Sequence, residues 1–167
     1  MSTDPNERQP VFQPAAGGEA HWFTTNRITI RVRAEQTGGA FGLIEAVAPV
    51  GAAPPLHIHH REDESFWVLE GEVKIQCGEQ TFHAGPGDFA FLPRGVPHGF
   101  VVEGDRPARF LNVITPGGFE QFFADAGRPA EGEGLPPVGP PDIELLGRVS
   151  GEYGSDLLGP PLAAGER

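Results

Sequence analysis

Five of the six histidines lie between positions 57 and 98, and three of them combine with one glutamate at spacings that suit a metal site. His57 and His59 are two residues apart, so on a strand both imidazoles point to the same side. Glu64 comes five residues after His59, and His98 follows a Pro-X-Gly turn. Three neutral imidazoles and one carboxylate suit a borderline divalent ion such as Mn, Fe, Co, Ni or Zn, whereas calcium prefers oxygen ligands. We therefore predict one divalent transition metal per chain, with its identity left open.

Glu64 shares a strand face with Phe66 and Val68, which would carry its carboxylate into an apolar interior. A buried carboxylate needs a partner, and a metal ion supplies one. Glu62 and Asp63 lie beside Arg61 and are expected to form a solvated charge cluster instead. The remaining histidines fall outside the pattern and are expected to be solvent-facing or structural: His21, His60 and His83.

The elements that would position these residues are short strands. Residues 28, 30 and 32 are apolar and alternate with polar residues, a period of two that predicts a strand with one wet face. Further strands are predicted at 40–49, 65–69, 72–77, 80–83, 89–92, 98–102 and 109–115. About eight short strands, with turns roughly every 8–12 residues, predict an all-β sandwich or barrel.

The ends of the chain differ from this central part. Residues 1–20 are predicted to be a tail or arm, and residues 21–126 a barrel with a first helix over 119–126. Residues 127–141 form a linker in which nine of fifteen residues are Gly or Pro. Residues 142–167 are predicted to be a helix capped by Asp142, followed by a tail.

Charge and composition exclude several function classes. The chain carries 12 Lys and Arg against 23 Asp and Glu, a net charge of −11, which disfavours nucleic acid and anionic membranes as partners. The single cysteine, Cys77, excludes an internal disulfide framework and a thiolate-only metal site. The polar start and the absence of a long apolar run predict a soluble, cytoplasmic protein.

The sequence resembles the cupin superfamily at two motifs. The first is Gly51-X5-His57-X-His59-X4-Glu64-X6-Gly71, and the second is Gly87-X5-Pro93-X-Gly95-X2-His98. Fifteen residues separate the motifs, and Val102 stands where the second motif normally ends in an asparagine that is not a ligand. The resemblance covers roughly residues 22–126. It implies a double-stranded β-helix, or jelly-roll barrel, with short C-terminal helices in this chain, and it makes His57, His59, Glu64 and His98 the metal ligands.

Two flanking segments, 35–37 and 117–123, resemble single-domain bacterial quercetin 2,3-dioxygenases. This resemblance implies a metal-dependent dioxygenase that uses dioxygen to cleave a flavonol or a similar enolisable aromatic or polyketide, with Glu64 as ligand and general base. In quercetinases the products are a depside and carbon monoxide. Two alternatives stay open: a metal-dependent polyketide cyclase or isomerase without oxygen chemistry, and a non-catalytic small-molecule-binding cupin.

Aromatic residues and sheet edges suggest how substrate and partner would bind. Five phenylalanines are candidates for an aromatic substrate pocket: Phe66, Phe89, Phe91, Phe100 and Phe110. Phe100 is the strongest of them, because it shares a strand face with His98. The resemblance also implies a homodimer, since cupins commonly pair sheet edges and so cover unpaired strand groups.

Overall fold

Two antiparallel β-sheets pack around one apolar core. The computed structural model describes residue 8 and residues 10–165. Its strands, in chain order, are β1 (Glu19–Phe23), β2 (Asn26–Val32), β3 (Gly42–Ala48), β4 (Pro55–His59), β5 (Asp63–Glu70), β6 (Glu72–Cys77), β7 (Gln80–Ala84), β8 (Phe89–Leu92), β9 (His98–Glu103), β10 (Ala108–Thr115), β11 (Arg128–Pro129) and β12 (Ser155–Pro161). The first sheet has the order β11–β1–β2–β3–β10–β5–β8, and the second has the order β12–β4–β9–β6–β7. The predicted all-β class is confirmed.

Alternating side chains build the interior. On β10, Phe110, Asn112 and Ile114 are buried while Leu111 and Val113 are partly exposed, as the period of a half-buried strand requires. The same alternation places Val73 and Ile75 of β6 in the core from the opposite sheet. The core is therefore shared by both sheets.

Three short helices complete the described residues: a 3-10 helix (Ala34–Thr37), α1 (Glu120–Asp125) and α2 (Ile143–Glu152). The Asp142 side chain accepts a hydrogen bond from the backbone N–H of Leu145 at 2.9 Å, so the predicted cap is present. Helix α2 buries Leu146 and Val149 against the barrel. None of the described helices is long and apolar enough to cross a membrane.

The C-terminal segment differs from the prediction. Residues 155–161 form β12, which pairs antiparallel with β4, where the sequence predicted only a tail after the helix. Gly159 and Pro161 sit at register shifts in this pairing, so the segment lacks the regular alternation that reveals a strand. Strand β1 likewise begins within the predicted N-terminal tail, and β11 lies within the predicted linker. Residues 1–7 and 9 of the predicted tail, and residues 166 and 167, lie outside the described residues.

Glu45 of β3 links its two neighbouring strands on the face away from the core. Its carboxylate accepts hydrogen bonds from Arg31 Nη2 of β2 at 2.8 Å and from Arg109 Nε of β10 at 2.7 Å. Burial opposes ionisation, but the hydrogen bonds from Arg109 and Arg31 outweigh it and lower the pKa of the Glu45 carboxyl.

This lowered pKa predicts a pH-dependent contribution to stability. Because the folded pKa lies below the unfolded value, the contribution is complete above the ordinary carboxyl pKa of about 4.3 and is lost as the pH falls through the folded pKa. We expect Glu45→Gln to lower the free energy of unfolding by about 1–2 kcal/mol at pH 7. The difference from the unsubstituted protein should shrink as the pH falls below about 4.

Urea denaturation across this pH range measures the effect. Glu79→Gln, in the exposed turn between β6 and β7, is the matched control and should change little at any pH. A Glu45→Gln difference that stayed constant down to pH ~3 would contradict the assignment.

Candidate metal centre

Three strands carry the four candidate ligands to one point inside the barrel. His57 and His59 lie on β4, Glu64 lies on β5, and His98 is the first residue of β9. Strands β4 and β9 pair with His57 directly opposite His98. One ligand atom from each of the four residues lies within 4.8 Å of the other three. The structure thus brings together all four residues that the sequence singled out.

Backbone carbonyls orient two of the imidazoles. His57 Nδ1 donates to the carbonyl of Pro55 at 2.8 Å, and His98 Nδ1 donates to the carbonyl of Val96 at 3.0 Å. A carbonyl oxygen only accepts, so Nδ1 must carry the proton in each ring. Each Nε2 of the neutral ring then keeps a lone pair, which is the arrangement of a metal-binding histidine whose other nitrogen is held by an outer partner.

Glu64 places one carboxylate oxygen among these nitrogens. Its Oε2 lies 2.8 Å from His98 Nε2 and 3.3 Å from His59 Nε2. A carboxylate oxygen and a nitrogen lone pair repel each other unless a proton or a cation lies between them. With three imidazoles around the carboxylate, the donor set fits a divalent transition ion.

The electrostatics of the site favour the metal-binding forms of His57 and Glu64. Burial, together with the neighbouring His98 and His59, lowers the pKa of His57 to about 4, so its ring is neutral near pH 7. Burial opposes ionisation of Glu64, but the facing His59 and His98 outweigh it and hold the pKa of the carboxyl well below its usual range. A neutral imidazole and an ionised carboxylate are the forms that bind a metal.

Glu62 is a buried neighbour that the sequence interpretation missed. Only 7% of it is exposed, and its Oε2 lies 4.0 Å from His59 Nδ1. Neither atom has a hydrogen-bond partner among the described residues. Burial raises the pKa of the Glu62 carboxyl. The prediction that Glu62 belongs to a solvated charge cluster is therefore wrong, because the loop before β5 turns its side chain toward His59. The run of charged residues in the sequence does not indicate that Glu62 is buried.

The other three histidines stay outside the centre. His60 is exposed and contacts Asp156 at 2.8 Å, and exposed His83 contacts Glu103 at 3.2 Å. His21 is buried on β1 beside Glu19, 2.8 Å away. None of the three belongs to the ligand cluster that the described residues form.

A cavity of about 330 Å³ opens beside the four ligands. Three of the predicted pocket residues line it, and their rings pack with centroids 5.4–6.0 Å apart: Phe66, Phe100 and Phe110. Further aromatic lining comes from Phe23 of β1 and from Phe119 and Phe122 at the start of α1. The helical spacing of Phe119 and Phe122 was visible in the sequence, but not the packing of that helix over the barrel mouth.

Phe89 and Phe91 do not line the cavity, so their assignment to the pocket is wrong. They are 62% and 54% exposed. Strand β8 pairs with β5 so that Ala90 lies opposite Phe66 and Leu92 opposite Glu64. Directly paired residues share a face of the sheet, which turns Ala90 and Leu92 inward and both phenylalanines outward.

Comparisons with known proteins agree with the fold and the site. A family model described as a cupin domain matches residues 44–114, which contain all four ligands. Residues 44–114 therefore form a cupin domain. A solved RmlC-like cupin from Shewanella frigidimarina superposes with a TM-score of 0.56 at 18% identity, covering 65% of this chain and 93% of that one. Because the identity is only 18%, this similarity supports the jelly-roll fold and nothing about function.

Two curated relatives of this cupin carry the name quercetin 2,3-dioxygenase. The one from Bacillus subtilis is 24% identical over 139 residues, covering 83% of this chain and 41% of the relative. The one from Aspergillus japonicus is 35% identical over 101 residues, covering 55% of this chain and 28% of the relative. The chain thus spans less than half the length of either relative. Together with the His/Glu cluster, these relatives indicate a cupin with a candidate metal site.

Proposed function

We propose that this cupin is a metal-dependent dioxygenase that cleaves a ring of a flavonol or a similar enolisable aromatic or polyketide. The observation that carries the proposal is a three-histidine, one-glutamate set that opens directly onto an aromatic cavity. The two relatives named quercetin 2,3-dioxygenase support the same reaction class.

The lining of the cavity favours a neutral, largely apolar substrate. Glu64 is the only Asp or Glu that lines it, and no Lys or Arg does so within the part of the chain that the structure describes. A carboxylate or phosphate on a substrate would therefore have no side-chain cation to offset its desolvation. An aromatic ring system instead fits the faces and edges of Phe66, Phe100 and Phe110.

In this proposal the chain's own residues bind the substrate and move its proton. His57, His59, Glu64 and His98 would hold a divalent ion, which when bound supplies Lewis acidity that lowers the pKa of a coordinated hydroxyl. Glu64 would accept the proton of that hydroxyl at Oε2. The phenylalanines would fix the ring plane, and α2 with the preceding linker, which contribute Leu146 and Pro141 to the lining, would exclude water.

A direct test combines metal analysis with turnover of quercetin under air and under argon. The protein is purified, its metal is quantified, and apo protein is reloaded with Mn, Fe, Co or Ni in turn. We expect about one ion per chain, oxygen-dependent loss of the flavonol absorption band and release of one carbon monoxide per flavonol.

The other outcomes identify the competing functions. Turnover of an enolisable polyketide under argon, without carbon monoxide, would replace the proposal with a cyclase or isomerase. Tight binding of the flavonol without turnover with any metal would replace it with a binding protein. Absence of metal after reconstitution would overturn the metal centre itself.

Phe100 tests the substrate side of the proposal. Phe100→Leu removes one ring beside His98 while keeping an apolar side chain, and we expect the KM for quercetin to rise by roughly three- to tenfold. Phe82→Leu is the matched control, because Phe82 of β7 is exposed and lies outside the cavity lining. Equal KM values for both variants would contradict a substrate contact at Phe100.

We also propose a homodimer that covers an exposed aromatic patch formed by Trp67, Phe89 and Phe91. These residues are 52%, 62% and 54% exposed, and they lie together on β5 and β8, of which β8 is a sheet edge. Exposed apolar patches of this kind mark contact surfaces. Light scattering should give twice the chain mass, and the Trp67→Ser/Phe91→Ser variant should give the mass of a single chain. A monomeric unsubstituted protein would overturn the dimer.

A further inference from the structure

Asn112 is a polar residue at a position where the strand calls for an apolar one. It lies on β10 between inward-facing Phe110 and Ile114, and only 3% of it is exposed. Its cross-strand neighbours are Ile44 of β3 and Phe66 of β5. A buried amide in such surroundings is unfavourable unless its hydrogen bonds are made, so its contacts indicate what it does.

Among the described residues, the side chain of Asn112 makes one hydrogen bond, and its acceptor is Glu64 of the candidate metal centre. Its Nδ2 donates to Glu64 Oε1 at 2.8 Å. Its Oδ1 is buried and has no hydrogen-bond partner among the described residues. Because a carboxylate only accepts, the NH2 end of the amide must face Glu64, and the orientation of the amide is settled by chemistry. Within the described part of the chain, the amide therefore has no second hydrogen bond that would explain its presence in the core, where it also lines the cavity.

The hydrogen bond from Asn112 gives the two carboxylate oxygens of Glu64 different partners. Oε1 is taken by Asn112, while Oε2 faces His98 Nε2 at 2.8 Å and His59 Nε2 at 3.3 Å. Without the amide, the carboxylate could rotate about its terminal torsion, which has only broad preferences. With the amide in place, Oε2 is the oxygen offered to the ligand cluster.

We infer that Asn112 is a positioning residue that holds Glu64 so that Oε2 alone serves as ligand and proton acceptor. The proton-transfer part of this inference rests on the proposed function. The orientation of the Glu64 carboxylate rests only on the hydrogen bond from Asn112. It predicts that losing the amide changes how the carboxylate coordinates, even when no substrate is present.

Two donor-free variants and one donor-keeping variant test this inference. Asn112→Leu and Asn112→Val remove the N–H donor and keep an apolar side chain, whereas Asn112→Gln keeps the carboxamide. Each protein is loaded with Co(II), and its visible absorption spectrum and Co(II) affinity are measured without substrate. Loss of a residue that hydrogen-bonds to a metal ligand commonly lowers metal affinity or activity by about 10- to 100-fold. We expect Asn112→Leu and Asn112→Val to lose Co(II) affinity by a factor of about this size. In turnover, kcat should fall by a similar factor with KM changed less than about threefold.

Val68→Ala provides the control for general loss of stability. Val68 is buried on β5, the same strand as Glu64, and does not line the cavity. We expect it to lower the melting temperature while leaving the Co(II) spectrum unchanged, and we expect Asn112→Gln to stay closer to the unsubstituted protein than Leu or Val. If one donor-free variant does not fold, the other carries the test.

The outcomes separate this inference from the proposed function. Unchanged Co(II) spectrum and affinity in the donor-free variants would overturn the positioning role, whatever the enzyme does with quercetin. A rise in KM alone, with kcat intact, would also overturn it. Altered Co(II) spectra in the donor-free variants, found when the unsubstituted protein shows no oxygen-dependent turnover, would support the orientation of Glu64 while the proposed reaction fails.

Discussion

His98→Ala is expected to lose most of the bound metal and, with it, turnover. His98 supplies Nε2 to the centre from the first position of β9, and it is only 2% exposed. Removing it leaves Glu64 Oε2 without its 2.8 Å contact and leaves a space that no described side chain fills. Loss of an outer partner alone reduces metal affinity about 10- to 100-fold, so loss of a ligand should exceed roughly 100-fold.

Elemental analysis after dialysis, together with a competition titration using a chelator of known affinity, measures this effect. His60→Ala is the matched control, because His60 adjoins His59 in sequence but is exposed and contacts Asp156. The control should retain about one ion per chain. Undiminished metal in His98→Ala would contradict its assignment as a ligand.

Glu64→Gln is expected to keep much of the metal and lose the chemical step. The three histidines remain as ligands, but the amide of glutamine no longer accepts a proton. A positioned general base contributes roughly 10²- to 10⁴-fold, and we expect kcat to fall by that range. Metal content, anaerobic binding of quercetin and kcat, all measured on the same preparation, distinguish a lost base from a lost site.

Glu62→Gln serves as the comparison for Glu64→Gln. Glu62 is also a buried carboxylate, but it faces His59 Nδ1 at 4.0 Å and lies outside the ligand cluster. We expect its loss to weaken metal retention more than it slows the metal-loaded enzyme. Equal kcat for Glu64→Gln and the unsubstituted protein would remove the base role from Glu64.

The motif residues and most strands could be predicted from local pattern. His57 and His59 share a face because a strand alternates, and this holds wherever the strand sits in the barrel. The apolar–polar alternation at 28–32 and the turns at Gly71 and Gly78 likewise follow from short-range preferences. Local pattern predicted two of the three ligand-bearing strands, β5 and β9, but not β4, and the spacing of the two motifs gave the cupin resemblance.

The inward or outward direction of a strand with apolar residues on both faces could not be predicted in the same way. Strand β8 has the sequence Phe-Ala-Phe-Leu, and either alternate set could face the core. The pairing of Ala90 with Phe66 and of Leu92 with Glu64 settles the direction and exposes both phenylalanines. A register shift of one residue would have reversed the result.

The amino-acid order was sufficient to indicate the candidate metal ligands, whose spacing falls within neighbouring strands, and an all-β barrel or sandwich, which the cupin resemblance narrowed to a jelly roll. The surroundings of the ligands depend on residues that are distant in sequence: Asn112 reaches Glu64 across 48 positions, and β12 joins β4 from the far end of the chain. The burial of Glu62 likewise follows from how its loop packs against β4. These contacts arise only when the sheets close on a common core, since burial and partner choice are properties of the packed chain and not of any one segment.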